Sequence, residues 1–385
     1  MKKNKGTKQK IILGIILIAV VILCGIYVQI NSKTIYDNIN IDASKLNIFY
    51  FNVGQADSIL IIYEDKTMLI DAGNDSDGEE ILKFLRAKGV GKIDYLIGTH
   101  IHEDHIGGIA DIVDNLTVNH IFMPYNENTN SNFYNKVKNS ISNKSMFIET
   151  IKEKDEFYLT DDVLFKILYV DNSEPSNINN ESIVIQLEYK TQKYLFMGDS
   201  EKEVEDKLIN SGILEDIDVL KVGHHGSNTS TTESFINKVL PEISIISVQY
   251  GRYNNMPSED IINRLKYNDN QVYRTDIDGT IWLTSDGFTN TITLLKELNL
   301  NGANRVSLRV YYEYAILFIF KDFSSKFSRN FTLFNIFFII ECIYTIFKFY
   351  NFSFFNIRIN FKSWNIIHYA SSSILTNSKI SFISI

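Results

Sequence analysis

The stretch Thr99-His100-Ile101-His102-Glu103-Asp104-His105-Ile106-Gly107-Gly108 places three histidines and two carboxylates within six residues. It follows Ile93-Asp94-Tyr95-Leu96-Ile97-Gly98, which reads as a buried strand. Gly107-Gly108 open an apolar-periodic run from Ile109 to Leu116 that reads as a helix. The cluster therefore sits on a strand-to-helix turn, where side chains can converge on one point. Neutral imidazole is the commonest metal ligand, and carboxylates serve the same divalent ions. In His-x-His-x-Asp-His the first two histidines share a face of extended chain. Asp104 and His105 then turn toward a second point nearby, a spacing that suits two adjacent cations better than one. Packing has no use for so many polar groups so close together. A His-Glu-x-x-His zinc motif is excluded on spacing, because position 106 is Ile106.

Outward from this turn, strands and helices alternate. Leu46 to Val53, Ser58 to Tyr63 and Met68 to Ile70 read as strands, and Glu79 to Lys88 as a helix. Val118 to Met123 is a further strand. One helix is expected within the Asn-rich stretch from Tyr125 to Ser145. Ser182 to Tyr189 and Tyr194 to Met197 read as a hairpin ending in Gly198-Asp199. Helix Glu201 to Asn210 and strand Ile217 to Val222 follow, ending in Gly223-His224-His225-Gly226-Ser227. Helix Ser230 to Val239, strand Ile243 to Val248, helix Glu259 to Lys266 and strands over Val272 to Leu283 complete the body, with Ser227 and Ser230 as candidate helix caps. The alternation predicts a layered α/β domain, sheet against sheet with helices outside. Asp71, His100, His102, Asp199, His224 and His225 all fall where strands end, the edge at which open α/β folds place their sites.

Seven histidines are present and five lie in the two clusters; the two cysteines, Cys24 and Cys342, sit in apolar segments and offer no disulfide framework. Five lysines precede an uncharged apolar run, Ile11 to Val28, long enough to span a bilayer core of ~30 Å as a helix. The expected organisation is a basic end and transmembrane signal anchor over 1–30, a linker over 31–45, the layered α/β domain with the histidine clusters over 46–300, and an aromatic-rich tail over 301–385. The lysines place the body outside a cell membrane spanned once. A cleaved signal peptide is the rival, but no small-x-small cleavage site follows the run. The net charge of −8 is segregated: residues 1–30 carry +5, residues 302–385 carry +6 with nine Lys and Arg against three acids, and the body carries −19. So acidic a body does not attract nucleic acid by itself.

These motifs resemble the metallo-β-lactamase superfamily and, within it, the nuclease domain of the ComEC competence-protein family, over roughly residues 46–297. The resemblance rests on Phe51-Asn52-Val53-Gly54-Gln55-Ala56-Asp57, Leu69-Ile70-Asp71-Ala72-Gly73, the His100 cluster, Phe196-Met197-Gly198-Asp199, Leu220 to Ser227, and Tyr273-Arg274-Thr275-Asp276 with Gly279. It implies an αββα sandwich with two divalent metals, zinc or manganese, at one edge. It further implies His100 and His102 on one metal, Asp104 and His105 on the other, Asp199 bridging, and His224 or His225 completing the second site. Asp71 would be the carboxylate that orients a ligand from behind; Asp104 could also accept a proton. Two departures stand out. The superfamily's further histidine on the first metal is missing: His120 falls too early, and the resembled branch carries an Asn/Ser stretch there, Asn179-Asn180-Glu181-Ser182. The branch's Gly-His-Pro is Asn255-Met256-Pro257 here.

The expected chemistry is attack by a metal-activated hydroxide on phosphorus or a carbonyl carbon. Lys221, Arg252 and Arg274 are candidates for steadying a phosphate. A membrane-anchored phosphodiesterase or DNA nuclease is the leading expectation. A hydrolase of another envelope or small-molecule ester is the second, favoured by the acidic body. A non-catalytic membrane-surface binding protein is the third, raised by Met256 and the tail.

Overall fold

A computed structural model describes residues 36, 39–126, 130–173, 176–249, 256–267, 270–296 and 298–301. The N-terminal apolar run, Arg252, Asn255 and the tail from residue 302 lie outside these. Among the described residues no helix is long and apolar enough to cross a membrane.

Two seven-stranded sheets form the body. The first runs, in spatial order, β14 (Asn290–Leu295), β13 (Thr280–Ser285), β1 (Leu46–Tyr50), β2 (Ile59–Tyr63), β3 (Lys66–Ile70), β4 (Lys92–Ile97) and β5 (Thr117–Phe122). The second runs β12 (Gln271–Arg274), β11 (Ile243–Ile246), β10 (Val219–Lys221), β9 (Gln192–Phe196), β8 (Val184–Tyr189), β7 (Val163–Tyr169) and β6 (Glu156–Thr160). Alternate residues of each strand point to opposite faces. Leu46, Ile48 and Tyr50 of β1 accordingly join Phe165, Ile185, Leu187, Tyr194 and Val219 in a core between the sheets. Phe49 faces the other way, into a layer with Ile81, Phe84 and Leu85 of α1 (Gly78–Ala87), Ile109 and Ile112 of α3 (Ile109–Asn115), and Val137 and Ile141 of α4 (Asn132–Asn143). On the outer face of the second sheet, Leu195 and Leu220 pack with Val204 and Leu208 of α5 (Lys202–Ser211), Phe235 and Val239 of α6 (Glu233–Val239), and Ile261 and Leu265 of α7 (Glu259–Lys266). With both faces covered, the strands read as apolar runs rather than as alternating ones. The layers are helix, sheet, sheet, helix, as the sequence predicts.

Several boundaries differ. The hairpin β6–β7 and strand β14 were not expected. The expected strands over Val272 to Leu283 are interrupted by a helical turn, α8 (Thr275–Asp278). Helix α6 begins later than expected because Thr232, not Ser227 or Ser230, caps it, accepting from Phe235 N at 3.3 Å. The Ser230 hydroxyl instead donates to the Gly223 carbonyl at 2.9 Å and braces the turn that carries the second histidine cluster.

Each sheet has a parallel half, and the halves matter for the site. β3, β4 and β5 are parallel in the first sheet; β9, β10, β11 and β12 are parallel in the second. Asp71 follows β3, the His100 cluster follows β4, Asp199 follows β9, and His224 and His225 follow β10. The helical crossovers that parallel pairing requires thus bring four strand ends to one edge.

Candidate metal centre

The first cluster is shaped by backbone. His100 and His102 straddle extended chain, with His102 at φ −69°, ψ 150°, before Asp104 and His105 enter the one-turn helix α2 (Glu103–Ile106). That turn is pinned from two sides: Asp57 N donates to the Asp104 carbonyl at 3.0 Å and Ala72 N to the His105 carbonyl at 2.7 Å. Gly107 and Gly108 allow this approach. A Cβ on Gly107 would lie 2.2 Å from Asp75 N, and one on Gly108 2.2 Å from the Ala72 carbonyl.

Asp71 stands behind the cluster. It adopts φ +58°, a left-handed conformation that Asp and Asn accept better than most residues. Its carboxylate accepts from Thr99 N at 2.7 Å and from the Thr99 hydroxyl at 2.8 Å. His105 Nδ1 donates to it at 2.8 Å. The other ring nitrogen, Nε2, is thereby aimed at Asp199 Oδ1, 3.3 Å away. His225 is built the same way from the second sheet: Nδ1 donates to the Ser247 carbonyl at 2.9 Å, and Nε2 lies 3.3 Å from Asp104 Oδ2 and 3.6 Å from Asp199 Oδ2. Asp104, His105, Asp199 and His225 each present a donor atom within 4.8 Å of the others. His105 Nε2, His225 Nε2 and Asp199 Oδ1 are buried and make no hydrogen bond. Three such atoms converging on one point are costly unless something satisfies them, and a divalent cation would. The donor set of imidazole and carboxylate fits zinc or manganese.

On the other side of Asp199, His100 Nε2 is 3.0 Å from His102 Nδ1 and 4.0 Å from Asp199 Oδ2. The hydroxyls of Thr99 and Ser182 lie 3.2 and 3.3 Å from His100 Nδ1, and Ser182 also accepts from Asp199 N at 3.0 Å. His224 Nε2 is 3.9 Å from Asp199 Oδ2.

The electrostatics are divided. Burial, and then the positive charge on His105, hold His100 well below the ordinary histidine range; burial also lowers His102. Burial would lower His105 too, but Asp199, Asp71 and Asp104 outweigh it and hold it well above that range. For His225, burial is likewise overcome by Asp199 and Asp104, and its pKa rises to about 9. Burial opposes ionisation of Asp104 and Asp199, yet the facing histidines hold both below the usual carboxylate range. Without a metal, two imidazolium ions supply the positive charge that these carboxylates need.

Seven of the expected site residues, with Asp71 behind them, are thus brought to one edge; of the phosphate-steadying candidates, the two described, Lys221 and Arg274, are engaged elsewhere. Lys221 is wholly buried, its ammonium 2.9 Å from Asp57 Oδ2 and donating to the Val222 carbonyl at 2.9 Å, so it has no route to a substrate. Arg274 grips Asp276 through Nε at 3.1 Å and Nη2 at 2.7 Å. His120 sits on β5, paired with Glu149 at 2.9 Å and stacked on Tyr95. Met256 takes a 3.4 Å contact from Gln55 Nε2. Asp57, Ser182, Asn179 and Glu201 have positions around the site that sequence reasoning did not assign. The recurrence of acids and amides at strand ends was the available signal.

A family profile described as the metallo-beta-lactamase superfamily matches residues 51–250. ComE operon protein 3 of Bacillus subtilis is 30% identical over 297 residues, covering 72% of this chain and 36% of that protein. Recombination protein 2 of Haemophilus influenzae is 30% identical over 237 residues, covering 60% and 28%. Competence protein ComA of Neisseria gonorrhoeae is 26% identical over 267 residues, covering 68% and 35%. The chain spans about a third of the length of these curated relatives.

Proposed function

The chain belongs to the metallo-beta-lactamase superfamily, and from that premise we propose that it is a metal-dependent hydrolase with two divalent cations, acting on a phosphodiester. The observation that carries the proposal is the convergence of buried, unbonded donor atoms of His105, His225 and Asp199 beside Asp104. His105, His225 and Asp104 would hold one cation, His100 and His102 the other, and Asp199 would face both. Bound cations would polarise a water and the scissile ester and offset the charge that builds on the substrate oxygens.

The chain's own residues do the rest. Asp71 holds the proton on His105 Nδ1, keeping Nε2 turned toward Asp199. The Ser247 carbonyl does the same for His225. Asp104 is a cation ligand first; at 30% side-chain exposure it reaches solvent and could also take a proton from the attacking water. Relatives named for competence and recombination bring DNA forward as the substrate class. The −19 body favours a second reading, hydrolysis of a small or envelope ester that needs no polyanion held in place. The sequence motivates a single N-terminal membrane anchor with the body outside.

The test is direct. The full-length protein, loaded with zinc or manganese, is assayed on single-stranded DNA, duplex DNA, a chromogenic phosphodiester and a carboxyl ester, beside His102→Ala. DNA cleavage lost in the variant is the expected result. Cleavage of the small phosphodiester alone favours the second reading, and protein that binds no metal and cleaves nothing overturns both. Protease added to intact cells should remove the body; full protection would refute an outside location.

A further inference from the structure

The first cation, as proposed, has only His100, His102 and the shared Asp199, because the Asn179 to Ser182 stretch stands where the superfamily has a histidine. We propose that His224 supplies the missing nitrogen, and that Glu201 is its positioning residue. The inference rests on the two-cation reading above and deepens it.

The backbone is the first observation. His224 and His225 are both left-handed, at φ +45° and +51°, conformations that non-glycine residues seldom adopt without a reason. The result is that two consecutive imidazoles reach the same edge from one turn, with ring centroids 6.3 Å apart. His225 serves the Asp104 side. His224 brings its Nε2 to the same Asp199 oxygen, 3.9 Å from Oδ2, but from the Asn179 side, 3.4 Å from that amide nitrogen. Asn179 belongs to the stretch that replaces the absent histidine, so His224 reaches that place from another strand end of the same sheet.

The second observation is how the ring is held. His224 Nδ1 lies 3.2 Å from Glu201 Oε1 and 3.0 Å from the Thr229 hydroxyl. A proton held on Nδ1 by the Thr229 hydroxyl and the charge of Glu201 leaves the lone pair on Nε2, free to ligate a cation. Glu201 is itself fixed: Asn179 and Asn177 donate to its two carboxylate oxygens at 2.8 and 3.0 Å, and its backbone N–H donates to Asn180 Oδ1 at 3.0 Å. The Asn stretch therefore orients a ligand through Glu201 rather than being one. The third observation is spacing. Zinc–nitrogen bonds of about 2.0–2.1 Å in a tetrahedron set donors roughly 3.3 Å apart. Three of the six separations among these donors, 3.0 Å for His100–His102, 4.0 Å for His100–Asp199 and 3.9 Å for His224–Asp199, lie on either side of that value. A surface histidine capped by a hydroxyl would need neither the left-handed backbone nor a carboxylate held by two asparagines.

The experiment titrates full-length protein with zinc against a chromophoric chelator and records visible spectra with cobalt. Wild type is expected to bind two ions. His224→Ala should keep one, on the His225 side, and bind the other at least tenfold more weakly; the retained ion reports that the variant is folded. Glu201→Gln should weaken that same site by about 10–100-fold. His224→Cys should restore it and add a near-ultraviolet thiolate-to-cobalt charge-transfer band, which a merely structural residue would not produce. If wild type binds two ions and His224→Ala binds both unchanged, or if the cysteine variant shows no such band, this inference falls while the hydrolase reading stands. If wild type binds none, the hydrolase reading itself falls and takes this inference with it.

Discussion

Replacing Asp71 by Asn tests whether the carboxylate behind His105 governs the metal in front of it. Asn has the same shape and tolerates φ +58°, so the backbone need not move. Its carbonyl can still accept from Thr99 N, where the separation is 2.7 Å. Its NH2 group then faces His105 Nδ1 and the Thr99 hydroxyl, both at 2.8 Å. The hydroxyl can rotate and accept. His105 Nδ1 can only accept by surrendering its proton, which shifts the N–H to Nε2, the atom 3.3 Å from Asp199. The lone pair needed by a cation then points backward. A lost charge-assisted hydrogen bond is worth about 1.5–3 kcal/mol, or roughly 10–100-fold in affinity at about 1.4 kcal/mol per decade. Zinc competition titrations should therefore show the Asp104-side site weakened by that factor and the other site little changed. Asp71→Ala should cost more, because alanine adds about 1–3 kcal/mol of left-handed strain. An Asp71→Asn protein that binds both ions with wild-type affinity would refute the orienting role.

Lys221→Met should unfold at markedly lower urea concentration, by about 3–5 kcal/mol, because it leaves the buried Asp57 carboxylate without its partner; adding Asp57→Asn should return part of that loss, and a neutral Lys221→Met would contradict the buried pairing. In the metal-free protein His225 has a pKa of about 9 against 6.5 for an ordinary histidine, so its protonated form stabilises the fold fully below pH 6.5 and that stabilisation is lost as pH rises through 9. Thermal midpoints should fall across that window without metal and flatten when zinc is present; an unchanged midpoint would remove the imidazolium from the account of the site.

The strand ends were legible because polar residues interrupt apolar runs there. His100, Asp199 and His224 each follow a run of buried residues, and local pattern sufficed to put them at strand termini. Helix α7 was legible for the same reason, its apolar positions recurring at helical spacing. The hairpin β6–β7 was not, because Glu156, Tyr158 and Lys166 dilute the apolar signal, and these segments become strands by pairing β6 with β7 and β7 with β8 at the sheet's far edge. Strand β14 is also an edge strand, with Thr291, Thr293 and Leu294 exposed.

Lys221 shows a different limit. A lysine two residues before Gly223-His224-His225 looks poised for a phosphate, and only the fold brings Asp57 beneath it. The same holds for the two histidines that follow. In a regular strand, neighbours point to opposite faces, and one of the pair would be lost to the site. Three successive residues at positive φ, His224, His225 and Gly226, cancel that alternation. Which histidine serves which side of Asp199 is then decided by the partners behind the rings, a backbone carbonyl for His225 and a carboxylate for His224. Those partners come from Ser247 and Glu201, on different connections of the second sheet. The division of labour within the pair is therefore a property of tertiary packing, although the pair itself is plain in the chain.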